Sequence, residues 1–257
     1  NNVGTTLATA GDLIEGQARL TQSLDLALAR DAHEHAARAF TNLGSINIIN
    51  WSLADADRHL HAGITYCADR DLDTWRLYMT AWLARSLAEQ GQYDAAERHV
   101  ADVTRRPHVS PITQVSVLPV AGVLAARRGR DGTRELDEAL AIAVRTGEAL
   151  RLIPVTAACA EAFWIAGRTR ELVAAVDRAW PVALEHPHPW GLGELSWWLR
   201  LAGDGRPAIA PLARPFALML ADEHRAAAAA WEALGCPLWS AYALAFSPEM
   251  RDAQQCL

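Results

Sequence analysis

The sequence predicts an all-α fold, an α-solenoid of antiparallel helix hairpins, and three observations lead there. Apolar residues recur at the spacing of amphipathic helices along almost the whole chain, and no alternating strand pattern interrupts them. The chain repeats itself with a period of about 38–40 residues. Glycines close the apolar runs, as expected where a helix ends in a left-handed cap.

The repeat is clearest at the start. Asn2-Val3-Gly4-Thr5 is echoed by Asn42-Leu43-Gly44-Ser45, and Leu13 and Leu20 are echoed by Leu53 and Leu60, all at a spacing of 40; Leu83-Ala84 falls at the next step. Gly11, Gly91, Gly129, Gly167 and Gly203 each follow an apolar run, and after Gly91, Gly129 and Gly167 the chain restarts as an amphipathic helix. The unit is therefore a helical hairpin. Five are expected within residues 1–185, pairing 1–10 with 13–29, 33–50 with 53–69, 73–90 with 93–105, 111–128 with 132–147, and 150–166 with 169–184. A hairpin cannot bury both its apolar faces alone, so consecutive hairpins must stack, and a constant small rotation between them would generate a concave groove.

Residues 186–193 carry two prolines and two glycines within eight positions and are expected to form a loop. Beyond it, within 194–257, shorter helices are expected at 194–202, 209–221, 225–234, 239–245 and 248–255, continuing and capping the same array.

Leu83, Ala84, Leu87, Gly91, Tyr93 and Ala96 stand at the relative spacings of a tetratricopeptide repeat, so the third hairpin resembles that family. Small Ala84 would let helices approach, while Tyr93 and Ala96 would fill the next interface. The segment Pro215–Pro237 followed by Ala241–Ala245 resembles the end of the repeat region in large ATP-dependent LuxR-type (MalT-like) transcriptional regulators, and Glu194–Gly203 resembles the element before it. That resemblance implies an ATPase module, a helical repeat sensor and a DNA-binding helix-turn-helix in that order, of which this chain matches the middle part. There is no GxxxxGK[ST] motif and Leu238-Trp239 replaces the expected Tyr and acidic residue, so ATP and DNA binding do not carry over. The chain opens on Asn1 and not on Met, which fits a piece of a longer polypeptide.

Composition narrows the chemistry. The formal net charge is -6 with charged residues at 21%, which argues against a broad basic surface for nucleic acid or anionic lipid. All 24 basic residues are Arg, so Schiff-base, pyridoxal-phosphate and P-loop lysine chemistry are excluded for this chain acting alone. Cys67, Cys159, Cys236 and Cys256 form no CxxC pair and fit free thiols in a reducing cytosol; Cys159 projects into a helix core. The longest apolar stretch, near residues 116–126, is too short to span a bilayer.

No catalytic motif is present: GxSxG, HExxH and a Gly-rich phosphate loop are all missing. His33/His35 and His59/His61 fall within one hairpin, yet residues two apart on a helix point about 200° apart, so a metal would need one His from each helix, such as His35 and His59, plus Asp55 or Asp57. The alternative is that these histidines are exposed or capping. His186 and His188 fall in the loop, where solvation is the ordinary state. Among ten tryptophans, Trp231 and Trp239 read as core; Trp75, Trp82, Trp164 and the adjacent Trp197-Trp198 pair are open between core and binding surface.

Carried over position by position, the tetratricopeptide resemblance implies groove residues Arg38, Thr41 and Ser45 in the second hairpin, Tyr78, Arg85 and Glu89 in the third, and Glu161 and Trp164 in the fifth. This mixture of Arg, carboxylate and aromatic groups suits a peptide terminus or small polar ligand, against the alternative of an ordinary solvated face. The expected function is the sensor or scaffold region of a bacterial transcriptional regulator, cytoplasmic, without cofactor, responding to a small-molecule inducer or a protein or peptide. A hydrolase using the His/Asp cluster or the groove, and a stand-alone protein–protein interaction scaffold, are the alternatives.

Overall fold

The computed structural model describes residues 1–9 and 11–247, and among these every regular element is an α-helix. The helices are α1 (Asn2–Thr9), α2 (Leu13–Ala29), α3 (His33–Ile49), α4 (Leu53–Ala68), α5 (Asp73–Glu89), α6 (Tyr93–Thr104), α7 (Pro111–Arg127), α8 (Thr133–Thr146), α9 (Ala149–Ile165), α10 (Thr169–Glu185), α11 (Pro189–Leu201), α12 (Arg214–Leu220), α13 (His224–Ala233) and α14 (Pro237–Ala245). The fold is the all-α, hairpin-on-hairpin α-solenoid type, and each of the first ten helices lies within two residues of its expected bounds at both ends. The helix expected at 248–255 and Cys256 lie outside the described residues.

The chain divides into two compact units, one of residues 1–88 and 92–117, the other of residues 89–91 with the chain from 118 onward. In the first unit α1 packs on α2, α2 on α3 and α3 on α4, while α1 also meets α3, the first helix of the next hairpin. The 40-residue repeat has a direct packing cause. Gly4 and Gly44, 40 residues apart, each sit where the two helices of their hairpin come closest, Gly4 against Gly16 and Leu20 and Gly44 against Leu60, and a Cβ on either would overlap its neighbour. Leu20 and Leu60, the repeat-related partners on α2 and α4, are fully buried. The Gln17 amide donates to Asn47 Oδ1 across α2 and α3 at 2.7 Å, satisfying a buried polar group between hairpins. Leu83, Ala84, Leu87 and Ala96 of the third hairpin are all buried.

The turns show what the glycine pattern foresaw and what it passed over. Gly11, Gly91, Gly129, Gly167 and Gly203 all take positive φ. So do Asp31, Trp51 and Asp71, at φ 51, 57 and 55. Trp51 stands 40 residues from both Gly11 and Gly91, so the same turn is made once by a residue with a large, buried side chain.

In the second unit α9 is the central helix, packed by α8, α10 and α11, and the chain continues through α12 and α13 to α14. The expected loop at 186–193 shrinks to residues 186–188. Pro189 opens α11 at its first turn, where a missing N–H costs nothing, and Gly191 and Gly193 sit inside the helix where Ile153 and Phe216 leave no room for a Cβ. The helix expected from residue 209 begins only at Arg214. Among its residues before Arg214 is Pro211, which has no N–H to donate and disfavours helical backbone at the residue before it. Trp197 and Trp198 are adjacent and yet both buried, since α11 is enclosed by α9, α10 and α12. Trp197 meets Phe246, and Trp198 meets Trp164, Trp239 and Tyr242. Trp231 and Trp239 are core and stack at 5.2 Å between ring centroids.

Candidate functional site

The eight groove residues expected from the sequence separate into two groups, one in each unit. In the first unit, Arg38 on α3 lies over the Trp75 ring of α5, with its guanidinium carbon 5.7 Å from the ring centroid. Tyr78 and Trp82 stand one helical turn apart on α5 and meet edge-to-face at 6.3 Å, and Arg85 continues the same stripe at i+7 from Tyr78. Arg38 and Arg85 have no carboxylate partner among the described residues. The Trp82 side chain is buried, and its indole N–H has no acceptor among the described residues. Ser45 is half-buried, its hydroxyl donating to the Asn42 carbonyl at 3.3 Å. Thr41 belongs to the interior instead, donating to the Ala37 carbonyl at 2.9 Å. A cleft of about 440 Å³ adjoins Arg38 and is bordered by Ser23, Leu26, Arg30 and His35. This part of a net-acidic chain therefore presents guanidinium groups and aromatic rings together.

In the second unit, Glu89, Glu161 and Trp164 are brought together, but by internal partners. Arg127, the last residue of α7, donates from Nε and NH2 to both oxygens of Glu161, at 2.7 and 2.9 Å, and lies 3.7 Å from Glu89. The two residues of the fork are almost completely buried, and Glu89 is only slightly exposed. Two side chains of α14 complete the group: the Trp239 indole N–H donates to Glu89 at 2.9 Å, and the Tyr242 hydroxyl donates to Glu161 at 3.3 Å. Trp164 stands edge-on to Tyr242 at 5.7 Å. Each carboxylate thus has a cation or a donor from within the fold. Chemically this is a buried ionic tie between α7, α9 and α14, with little capacity left for a ligand.

Trp75, Arg127, Trp239 and Tyr242 complete these groups without having been singled out as groove residues. Arg127 carried a usable signal, since it stands 38 residues after Glu89, one repeat period, and ends an apolar run. Trp239 and Tyr242 carried none, because 150 residues separate Trp239 from Glu89.

The histidines do not assemble a metal centre: among the described residues no group of three or more His, Cys, Asp or Glu side chains could hold an ion. Asp55 pairs with Arg58 at 2.9 Å, and His33 bonds the Tyr66 hydroxyl at 2.8 Å. His35 is exposed beside the cleft near Arg38. Burial holds His59 below the usual histidine range, reinforced by Arg58 and opposed by Asp55. Cys67 and Cys159 are buried, and desolvation pushes their thiols up to about 11 and about 12; Cys236 is pushed further still. Such thiols lack the thiolate fraction that a nucleophile needs.

No protein-family model, curated protein or solved structure matches the chain. The fold itself defines an all-α protein of repeated helix hairpins. Among the described residues no helix is long and apolar enough to cross a membrane.

Proposed function

We propose that the chain is a binding module, the helical-repeat sensor region of a bacterial LuxR-type regulator, taking up a small ligand or protein partner on the face shared by α3 and α5. One observation carries this reading: Arg38, against the half-buried Trp75 ring, and Arg85, two turns from the half-buried Tyr78 on α5, have no carboxylate partner among the described residues. Hairpin repeats are stable through neighbour-to-neighbour packing, which leaves the side chains of one face available for recognition. A ligand that bound this face in one arrangement of a larger regulator and not in another would shift that regulator between them.

The test is a binding screen read residue by residue. The chain, labelled with 15N, is titrated with separate sets of anionic, neutral and cationic small molecules and with short peptides, following the indole N–H signals of Trp75 and Trp82. Saturable shifts at these signals without turnover of the added compound support the reading. Turnover would favour a hydrolase, and silence of both signals throughout the screen would remove the binding-module proposal.

A further inference from the structure

The 40-residue register sets α1 against α3, and the two differ in length. Helix α3 has 17 residues and α1 has 8, so that α1 corresponds only to residues 42–49 of α3. The stretch of α3 from His33 to Phe40 has no counterpart in the first hairpin. The cleft of about 440 Å³ bordered by α1, α2 and α3 lies at the place where that counterpart would pack. Its α2 wall is Ser23, Leu26, Ala27 and Arg30, and 40 residues later the same positions are Gly63, Tyr66, Cys67 and Arg70 at α4 and its end.

Those later positions show what such a wall accepts. The first half of α3 covers them: a Cβ on Gly63 would lie 2.7 Å from Phe40 Cβ, the Tyr66 ring is 5.7 Å from the Phe40 ring, and the Tyr66 hydroxyl bonds His33 at 2.8 Å. On α2 the same wall is open. Leu26 is 50% exposed, and Val3, which also lines the cleft, is 66% exposed although its repeat partners Leu43 and Leu83 are buried. The open wall continues an established series of helix–helix interfaces, so a helix seats on it by the packing that α3 makes on α4. The rim sets the charge of the occupant. Arg30, His35 and Arg38 border the cleft, and neither arginine has a carboxylate partner among the described residues. Arg30 ends α2, level with the start of a helix packed antiparallel to it, and a helix favours acidic side chains in its first turn, as α3 has Glu34. We infer that this cleft, separate from the α3/α5 face, docks a short amphipathic helix of a partner protein: about two turns long, with an acidic first turn toward Arg30 and an aromatic side chain, in the place of Phe40, over Ser23 and Leu26.

The probe is an acetylated and amidated peptide with the sequence of residues 33–41, closed by a hydrocarbon bridge between positions 35 and 38, both exposed in α3. The bridge is needed because so short a peptide is a poor helix in water. The 15N-labelled chain is titrated with it and read at assigned backbone amides. The expected result is saturable shifts at residues 23–30, with binding at least about tenfold tighter than that of the Phe40→Ala peptide or of a bridged peptide of scrambled sequence, the scale of one apolar side chain removed from a packed contact. A Glu34→Gln peptide is expected to bind about two- to fivefold more weakly, as for one charge at a helix N-terminus. In the protein, Leu26→Glu at an unchanged melting temperature is expected to weaken binding about tenfold or more. Ile14→Glu, which removes a still more exposed apolar side chain outside the cleft, is expected to leave it unchanged. The peptide variants test the docking even where Leu26→Glu fails to fold. No saturable binding, or equal binding of the Phe40→Ala and scrambled peptides, overturns the proposal, and Glu34→Gln without effect overturns the acidic first turn. Shifts at residues 63–70 in place of 23–30 would mean that the peptide replaces α3 on α4, and overturn the cleft as the site. Binding seen only when the peptide sequence is joined ahead of Asn1, and not when it is added free, would make the cleft a seat for a segment of the same polypeptide and overturn the partner.

Discussion

Arg127 and Glu161 face each other as a two-pronged fork, Nε and NH2 against both carboxylate oxygens, with each side chain about 4% exposed. A pair this buried has lost its hydration, and its worth lies mostly in the cost of leaving one partner alone. Arg127→Met strands Glu161 and is expected to destabilise the protein by about 3–5 kcal/mol. The double variant Arg127→Met/Glu161→Leu is expected to lose less than Arg127→Met alone. Denaturant melts of the wild type, Arg127→Met, Glu161→Leu and the double variant decide this, and a double variant as unstable as the sum of the two singles would show that the pair is no electrostatic unit.

Trp51 sets two effects against each other. Its left-handed backbone costs roughly 1–2 kcal/mol for a residue with a Cβ, which glycine would relieve. Its side chain is 3% exposed, and truncating a buried Trp costs about 3–5 kcal/mol. Burial is the larger, so Trp51→Gly is expected to destabilise by about 2 kcal/mol net. A variant more stable than the wild type in urea would mean that strain dominates this turn.

The thiols offer a test of burial. Cys67, Cys159 and Cys236 are buried and their ionisation is pushed upward by desolvation, so iodoacetamide at pH 8 is expected to leave all three unmodified in the native protein and to alkylate them in guanidinium chloride. Peptide mass spectrometry reads each site separately. Rapid native labelling at Cys159 would contradict its place in the core of α9.

Stability should fall with mild acid. His59, His99 and His188 are all held below the ordinary histidine value, each by burial first, with Arg58 adding at His59 and His61 at His99. A lowered value means that the unfolded chain binds protons more readily than the folded one once pH drops to about 6.5. The contribution is therefore complete above that pH and is lost as pH falls through the lowered folded values. Melting temperatures at pH 7.5, 6.5 and 5.5 check the slope, and His188→Gln should flatten it. An unchanged melting temperature across this range would contradict the sign.

How much of this was legible in the sequence follows from the distance over which each signal acts. Amphipathic period, glycine caps and the 40-residue echo are written in neighbouring residues, so the hairpins from α1 to α10 could be read with their ends. The burial of Leu83, Ala84 and Ala96 followed from the same spacing. Asp31, Trp51 and Asp71 were passed over as turn-makers because a non-glycine residue gives no local sign that it takes positive φ. Pro189, Gly191 and Gly193 looked like a loop because composition cannot show that a first-turn proline is harmless or that Ile153 and Phe216 leave no room for a side chain.

The sequence by itself determined the helices, their pairing into hairpins and the residues that seal them, because these depend on contacts repeated along the chain. It also singled out Arg38, Tyr78 and Arg85, and the structure sets Arg38 over Trp75 of α5, the helix that carries the other two. Only the tertiary structure decided that Glu89 and Glu161 are occupied by Arg127, Trp239 and Tyr242, whereas Arg38 and Arg85 have no acidic partner among the described residues. That distinction rests on which charges meet a countercharge in space, and a contact spanning 150 residues has no periodicity through which a sequence could announce it.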